Sequence, residues 1–279
     1  MIRALTRPRR RYHRYGDNDP DKLKRYVRKG DVILVDGDQR VSQVIKTLTT
    51  SSWSHNGVYI GDELLVRDHP MRAAVQRRFG REAKHLLIEA LVEQGVVVSP
   101  IVKYIDFNLR ICRPYGLHPA DLRVLLDDLI GKIGLQYDVK NITDLMRYLL
   151  PVHLIPARYR EDALHFGSGL ATETICSSMT AAAFARIGFP ILPEQRDPPS
   201  RPRTTKDKIK VALLGRHDPD LYTGMFHARH PTLVVPGDFD LSPYFEIVKF
   251  NAIADGNFDY RKMRWTTEVP TVEPTSGES

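Results

Sequence analysis

The sequence predicts an α+β fold, and three features of it do so. Short apolar runs bounded by Gly, Asp and Pro recur through the first half of the chain, two of them joined by a Gln94-Gly95 turn as a strand pair. Leu122, Leu125, Leu126, Leu129, Ile130 and Ile133 recur at helical spacing behind Pro119. An Ala-rich run, Ala181-Ala182-Ala183-Phe184-Ala185, follows Cys176 and stops at Gly188.

The elements follow in order. Asn18-Asp19-Pro20 starts a helix whose apolar stripe is Leu23, Tyr26 and Val27, and Gly30 ends it. Asp31-Val32-Ile33-Leu34-Val35 is a buried strand, closed by Asp36-Gly37-Asp38. Val41, Val44, Ile45 and Leu48 predict a helix over 40–48. Residues 53–61, Trp-Ser-His-Asn-Gly-Val-Tyr-Ile-Gly, form a strand with His55, Gly57 and Tyr59 on one face and Asn56, Val58 and Ile60 on the other. Gly57 leaves the imidazole face uncrowded. Residues 71–84 are basic and helical or irregular. Residues 85–92 are an apolar strand with Glu89 at its middle. Buried without a partner, that carboxylate would cost several kcal/mol, so it asks for a cation or a set of N–H donors unless its face looks to solvent.

Val96-Val97-Val98 pairs with the Glu89 strand, and residues 105–113 make a further strand ending at Pro114. The helix over 119–133 stops at Gly134, and Tyr137 is displayed just beyond. Residues 144–160 mix Leu, Ile and Val with Arg, as a packed helix and loop, a cap near a site or a lipid-facing surface would. Residues 190–202 are Pro-rich and wrap the surface, and 208–214 are a short strand or helix. Residues 236–245 read as a turn, and 246–250 as a strand. Residues 266–279 have the composition of a disordered tail. The expected organisation is a basic arm over 1–17, a core over 18–190, an extension over 191–265 packing on that core, and the tail.

The 279 residues are 42% hydrophobic and 27% charged, enough for a sizeable core. The net charge of +7 is concentrated in the arm, where Arg3, Arg7, Arg9, Arg10, Arg11 and Arg14 meet no acid before Asp17. Such an arm is either a solvated tail or a weak contact for anionic membrane or nucleic acid. No apolar run follows these arginines as in an export signal, and none reaches the roughly 18 residues of a spanning helix, so a soluble, cytoplasmic protein is expected. Cys112 and Cys176 are far apart, and no cluster has zinc spacing, so neither a disulfide framework nor a metal or cofactor is expected. Cys112 lies in a strand-like run and reads as core.

Cys176 is the candidate for chemistry. Placed at the start of the Ala-rich helix, with Thr174 or Ser177 and Ser178 as caps, its thiol would meet unpaired N–H groups and the positive end of the helix dipole, both favouring thiolate. A cysteine on a helix, a histidine on a strand and a polar residue on the next strand form the constellation of a papain-like hydrolase. In this chain the histidine and carboxylate come first and the cysteine last.

Gly30-Asp31-Val32-Ile33, Trp53 to Tyr59, Ile88-Glu89-Ala90 with Gly95-Val96, and Ile175-Cys176-Ser177-Ser178 together resemble the circularly permuted NlpC-type cysteine hydrolases, most closely the YiiX/YebB-like group. Arg113-Pro114 and Gly134-x-x-Tyr137-Asp138 resemble further landmarks of that group. The resemblance covers roughly residues 30 to 190. It departs in the long stretch from Asn141 to Thr174 and at Ser178, where relatives often carry an acid. It implies a papain-like core with an antiparallel sheet packed against the cysteine helix. In it Cys176 is nucleophile, His55 base and then acid, and Glu89 the orienting carboxylate; Tyr137 reads equally as an aid to the oxyanion beside the Cys176 N–H or as a core tyrosine. The three groups must then converge in an accessible groove.

The expected activity is hydrolysis of an amide, ester or thioester through an acyl-Cys176 intermediate, on a small-molecule, peptide or lipid-like substrate. Two alternatives remain: a lipid-directed acyltransferase of the lecithin:retinol acyltransferase type, and a non-catalytic binding protein that uses the basic arm. Peptidoglycan peptides are the habitual target of unpermuted relatives, and the lack of an export signal argues against them.

Overall fold

Apolar runs of the first half pair in one sheet because both of its faces are covered. The computed structural model describes residues 12–15, 18–38, 42, 46, 49–91, 94–136, 167–195, 226–227, 229–251 and 261. The strands are β1 (Val32–Asp36), β2 (His55–Gly61), β3 (Leu86–Leu91), β4 (Gly95–Pro100), β5 (Asn108–Pro114), β6 (Glu194–Gln195), β7 (Phe226–His227) and β8 (Phe245–Val248). Six of them form a sheet in the order β4-β3-β2-β1-β5-β8, with every neighbouring pair antiparallel. β6 and β7 pair separately. The helices are α1 (Pro20–Tyr26), α2 (Glu63–Val66), α3 (Arg72–Phe79), α4 (Pro119–Ile130), α5 (Gly167–Arg186) and α6 (Pro236–Leu241). Helices and an antiparallel sheet make the architecture α+β, as the sequence predicts.

Alternation along the strands separates two apolar layers. Val32, Leu34, Val58, Ile60, Ile88, Ala90, Val96 and Cys112 pack with α4 and α5. Ile33, Val35, Tyr59, Leu87 and Ile111 pack on the opposite side with Leu23 and Val27 of the α1 region and with Ile101 and Tyr104. Burial on both faces explains why the β1 and β3 sequences read as nearly unbroken apolar runs. Helix α1 begins where Asp19 accepts the N–H groups of Asp21 and Lys22 at 2.9 and 3.0 Å. Leu23 then anchors it with no exposed surface. Two landmarks of the sequence meet here: Arg113 forks onto the buried Asp31 carboxylate at 2.9 and 2.8 Å and donates to Tyr26 O at 2.6 Å. That cluster ties α1, β1 and β5 together and is structural.

Four local expectations differ from the structure. The 119–133 helix ends at Ile130, and Ile133 lies in the turns that follow, still against the core. The strand expected over 105–113 starts at Asn108, because Ile101–Tyr104 form a 3-10 turn after β4. Residues 236–241 are helical rather than a turn: Pro236 takes the first helical position, and Asp238 accepts the Val235 N–H at 3.0 Å. The fourth, at Cys176, bears on the site. The late segment is part of the main sheet and its core: β8 pairs with β5, and Phe239 of α6 packs with Phe184 and Phe245, ring centroids 6.4 and 5.5 Å away. The 40–48 helix, the basic arm before Tyr12, Tyr137, the 144–160 segment, the 208–214 element and the 266–279 tail lie wholly or largely outside the described residues.

Candidate functional site

The site is assembled from β2, β3, α5 and the turn after β4. His55 is the first residue of β2, and Glu89 in β3 stands opposite Gly57. The two side chains therefore project from the same face, one step apart diagonally. A Cβ on Gly57 would lie 2.8 Å from Leu87 Cδ1, 3.0 Å from Ile88 O and 3.4 Å from Glu89 Cβ. Glycine at this position is what lets β3 carry Glu89 so close to the histidine.

Glu89 exposes no surface. His55 Nε2 donates to its Oε2 at 2.7 Å, Lys103 Nζ donates to Oε1 at 2.6 Å, and the Tyr104 hydroxyl donates to Oε2. The cation that a mid-strand carboxylate requires is thus present twice. Burial is the largest influence on Glu89 and opposes its ionisation. The hydrogen bond and charge of His55, followed by Lys103, outweigh it and hold the carboxyl well below its usual range.

Cys176 acts on the same imidazole, through a hydrogen bond and its charge. Burial is again the largest influence and pulls His55 down. The charge of the sulfur, its hydrogen bond, and Glu89 together push the imidazole up from 6.5 to about 10. The arrangement favours an imidazolium held against a carboxylate.

Cys176 does not stand at a helix N-terminus. Helix α5 begins at Gly167, so Cys176 lies in its middle, with Thr174, Ser177 and Ser178 inside the helix rather than capping it. Its N–H belongs to the helix ladder, and the dipole acts within about a turn of an end. Neither the expected dipole effect nor an oxyanion site at this N–H applies. The charged group that acts on the sulfur here is His55, not a helix end. Gly188 does end the run, at φ 69°, with its N–H on Ala185 O at 3.0 Å and that of Phe189 on Phe184 O at 3.0 Å. Tyr137 lies outside the described residues.

Two buried contacts hold α5 in place. Asn56 Nδ2 donates to Thr180 Oγ1 at 2.9 Å, linking the residue after His55 to the residue one turn beyond Cys176. Ser177 Oγ donates to Val234 O at 2.6 Å. The open groove expected at the sulfur is not observed: Cys176 exposes no surface, whereas 13% of the His55 side chain remains accessible. Access is on the imidazole side.

The structure thus brings Cys176, His55 and Glu89 together. Sequence reasoning missed Lys103, Tyr104, Asn56 and Thr180. The demand of Glu89 for a cation was the one signal for Lys103; nothing in the sequence pointed to the other three.

No family model and no curated protein sequence matches the chain. Among solved structures, the chain is similar to one described as the metalloprotein YiiX from Escherichia coli O157:H7. The TM-score is 0.44 and the identity 15%, over 81% of this chain and 98% of that one. At that score the geometry of the site, and not the likeness, carries the functional reading. No group of three or more His, Cys, Asp and Glu among the described residues is placed to hold a metal ion. No helix among the described residues is long and apolar enough to cross a membrane.

Proposed function

We propose that the protein is a cysteine hydrolase with Cys176 as nucleophile, His55 as proton carrier and Glu89 as the carboxylate that orients and charges it. One observation carries this reading: a fully buried glutamate is paired with His55 at 2.7 Å, and the Cys176 sulfur acts on the same imidazole. A structural histidine has no need of both a buried carboxylate and a thiol; activation of a nucleophile uses both.

With the proton on His55, the Cys176 sulfur attacks the carbonyl carbon of an amide, ester or thioester. The imidazolium gives that proton to the departing amine, alcohol or thiol, leaving an acyl-Cys176 thioester and neutral imidazole. Water then attacks the thioester, His55 takes its proton, and the acid departs as the sulfur regains its electron pair. Glu89 stays ionised throughout and keeps Nε2–H aimed away from the reacting atoms.

The test is turnover of a panel of p-nitrophenyl esters, acyl thioesters and aminoacyl amides by wild type, Cys176→Ala and His55→Phe. Release by the wild type that is lost in both variants supports the proposal. Equal rates in all three proteins refute it.

A further inference from the structure

Lys103 and Tyr104 lie next to each other on the 3-10 turn Ile101–Tyr104, and both end on Glu89. Lys103 takes Oε1 and the Tyr104 hydroxyl takes Oε2, the oxygen that also faces His55. The carboxylate therefore cannot turn about its last bond without breaking all three contacts. The Lys103 ammonium also lies 4.9 Å from the Tyr104 ring centroid, and that ring packs edge-on with Phe107 at 5.8 Å, which braces the turn. Unlike the carboxylate it holds, Lys103 keeps 37% of its side chain exposed. A lysine needed only to neutralise a buried carboxylate is redundant here, because His55 already does so.

We propose that Lys103 is a positioning residue for the proposed reaction: it fixes the rotation of Glu89 and weakens the grip of that carboxylate on the His55 proton. The inference rests on the hydrolase reading for its catalytic meaning, but not for its electrostatics. A carboxylate shared between two cations holds each less tightly than it would hold one, and Lys103 also repels the imidazolium across it. Without Lys103, Glu89 would serve His55 alone and the imidazolium would become a poorer acid toward the leaving group. The titratable groups acting on this pair are Cys176 from α5, Glu89 from β3, and Lys103 and Tyr104 from the turn.

Two readouts on the full chain test this. The first is NMR titration of the His55 ring nitrogens in wild type, Lys103→Met, Lys103→Arg and Glu89→Gln. The second is Cys176-dependent turnover of the same proteins. In Lys103→Met the His55 midpoint is expected to rise by about 0.5 to 1 pH unit, the partial exposure of Lys103 screening a larger effect. Lys103→Arg, which keeps charge and donor, returns it toward wild type, and Glu89→Gln moves it in the opposite direction. Turnover in Lys103→Met is expected to fall about tenfold, since displacing a positioned group by an ångström costs up to about a hundredfold. An unmoved midpoint in Lys103→Met overturns the proposal even if turnover falls, because a purely structural lysine would do the same. A moved midpoint in a protein without Cys176-dependent turnover upholds the Lys103 linkage and removes the hydrolase reading. Because Lys103 is half-exposed and Lys103→Arg preserves both of its roles, the comparison does not depend on a variant that fails to fold.

Discussion

Replacing Glu89 with Gln preserves the shape of the side chain and removes its charge from a position with no exposed surface. Lys103 and His55 would then face a neutral amide. Breaking a buried ion pair from one side costs about 3 to 5 kcal/mol, and the lower figure applies because Lys103 can turn to solvent and His55 can release its proton. About 3 kcal/mol corresponds to a Tm lower by roughly 6 to 12 °C for a protein of this size. The pH dependence supplies a second signature. His55 has a folded-state pKa raised to about 10, so its stabilising contribution is complete below 6.5 and is lost as pH rises through about 10. Glu89 has a folded-state value below its ordinary one, so its contribution is present above the usual carboxylate range and is lost on acidification. Denaturant unfolding from pH 6 to 10 is expected to show wild type losing stability toward alkaline pH, and Glu89→Gln showing a shallower loss. Turnover of any substrate found is expected to drop by about a thousandfold or more, as when the orienting carboxylate of a triad is neutralised. A Glu89→Gln protein within about 1 kcal/mol of wild type and with the same alkaline slope would refute the reasoning.

Further expectations follow from other contacts. Gly57→Ala places a Cβ 2.8 Å from Leu87 Cδ1 and 3.0 Å from backbone Ile88 O, and should cost about 1 to 3 kcal/mol in denaturant unfolding. Thr180→Val leaves the buried Asn56 amide without its acceptor; a loss of about 1 to 3 kcal/mol is expected, partly recovered when Asn56→Leu is added, as a double-mutant cycle would measure. Arg113→Lys gives up the fork onto Asp31, and a loss of at least about 1 kcal/mol is expected in the same assay.

Much of the frame was legible because the apolar patterns were strong. The β1 run, the Glu89 hairpin, the Asp19-Pro20 helix start and the Leu stripe of α4 each carry a local signal that tertiary packing does not reverse. His55 and Glu89 were legible for different reasons: a histidine two places before a glycine on a strand, and a carboxylate among Leu and Ile that required a partner. What failed depended on contacts across the chain. The α5 start at Gly167 carries no capping signal strong enough to outweigh Cys176 as an apparent boundary. The Pro236-Gly237-Asp238 helix depends on burial of Phe239 against Phe184 and Phe245, which local turn chemistry cannot reveal. Lys103 and Tyr104 belong to the turn Ile101–Tyr104, whose Ile-Val-Lys-Tyr sequence carries no mark of a site, and only the β3–β4 register carries it back to Glu89.

The most direct test of the chemistry is intact-mass analysis after brief exposure to an activated acyl thioester, with peptide mapping of the modified residue. One acyl group on Cys176 in the wild type, none in Cys176→Ala and a much slower appearance in His55→Phe is the expected result. An adduct that forms at the same rate without Cys176, or a wild-type sulfur that stays unmodified while Cys112 reacts, would contradict it.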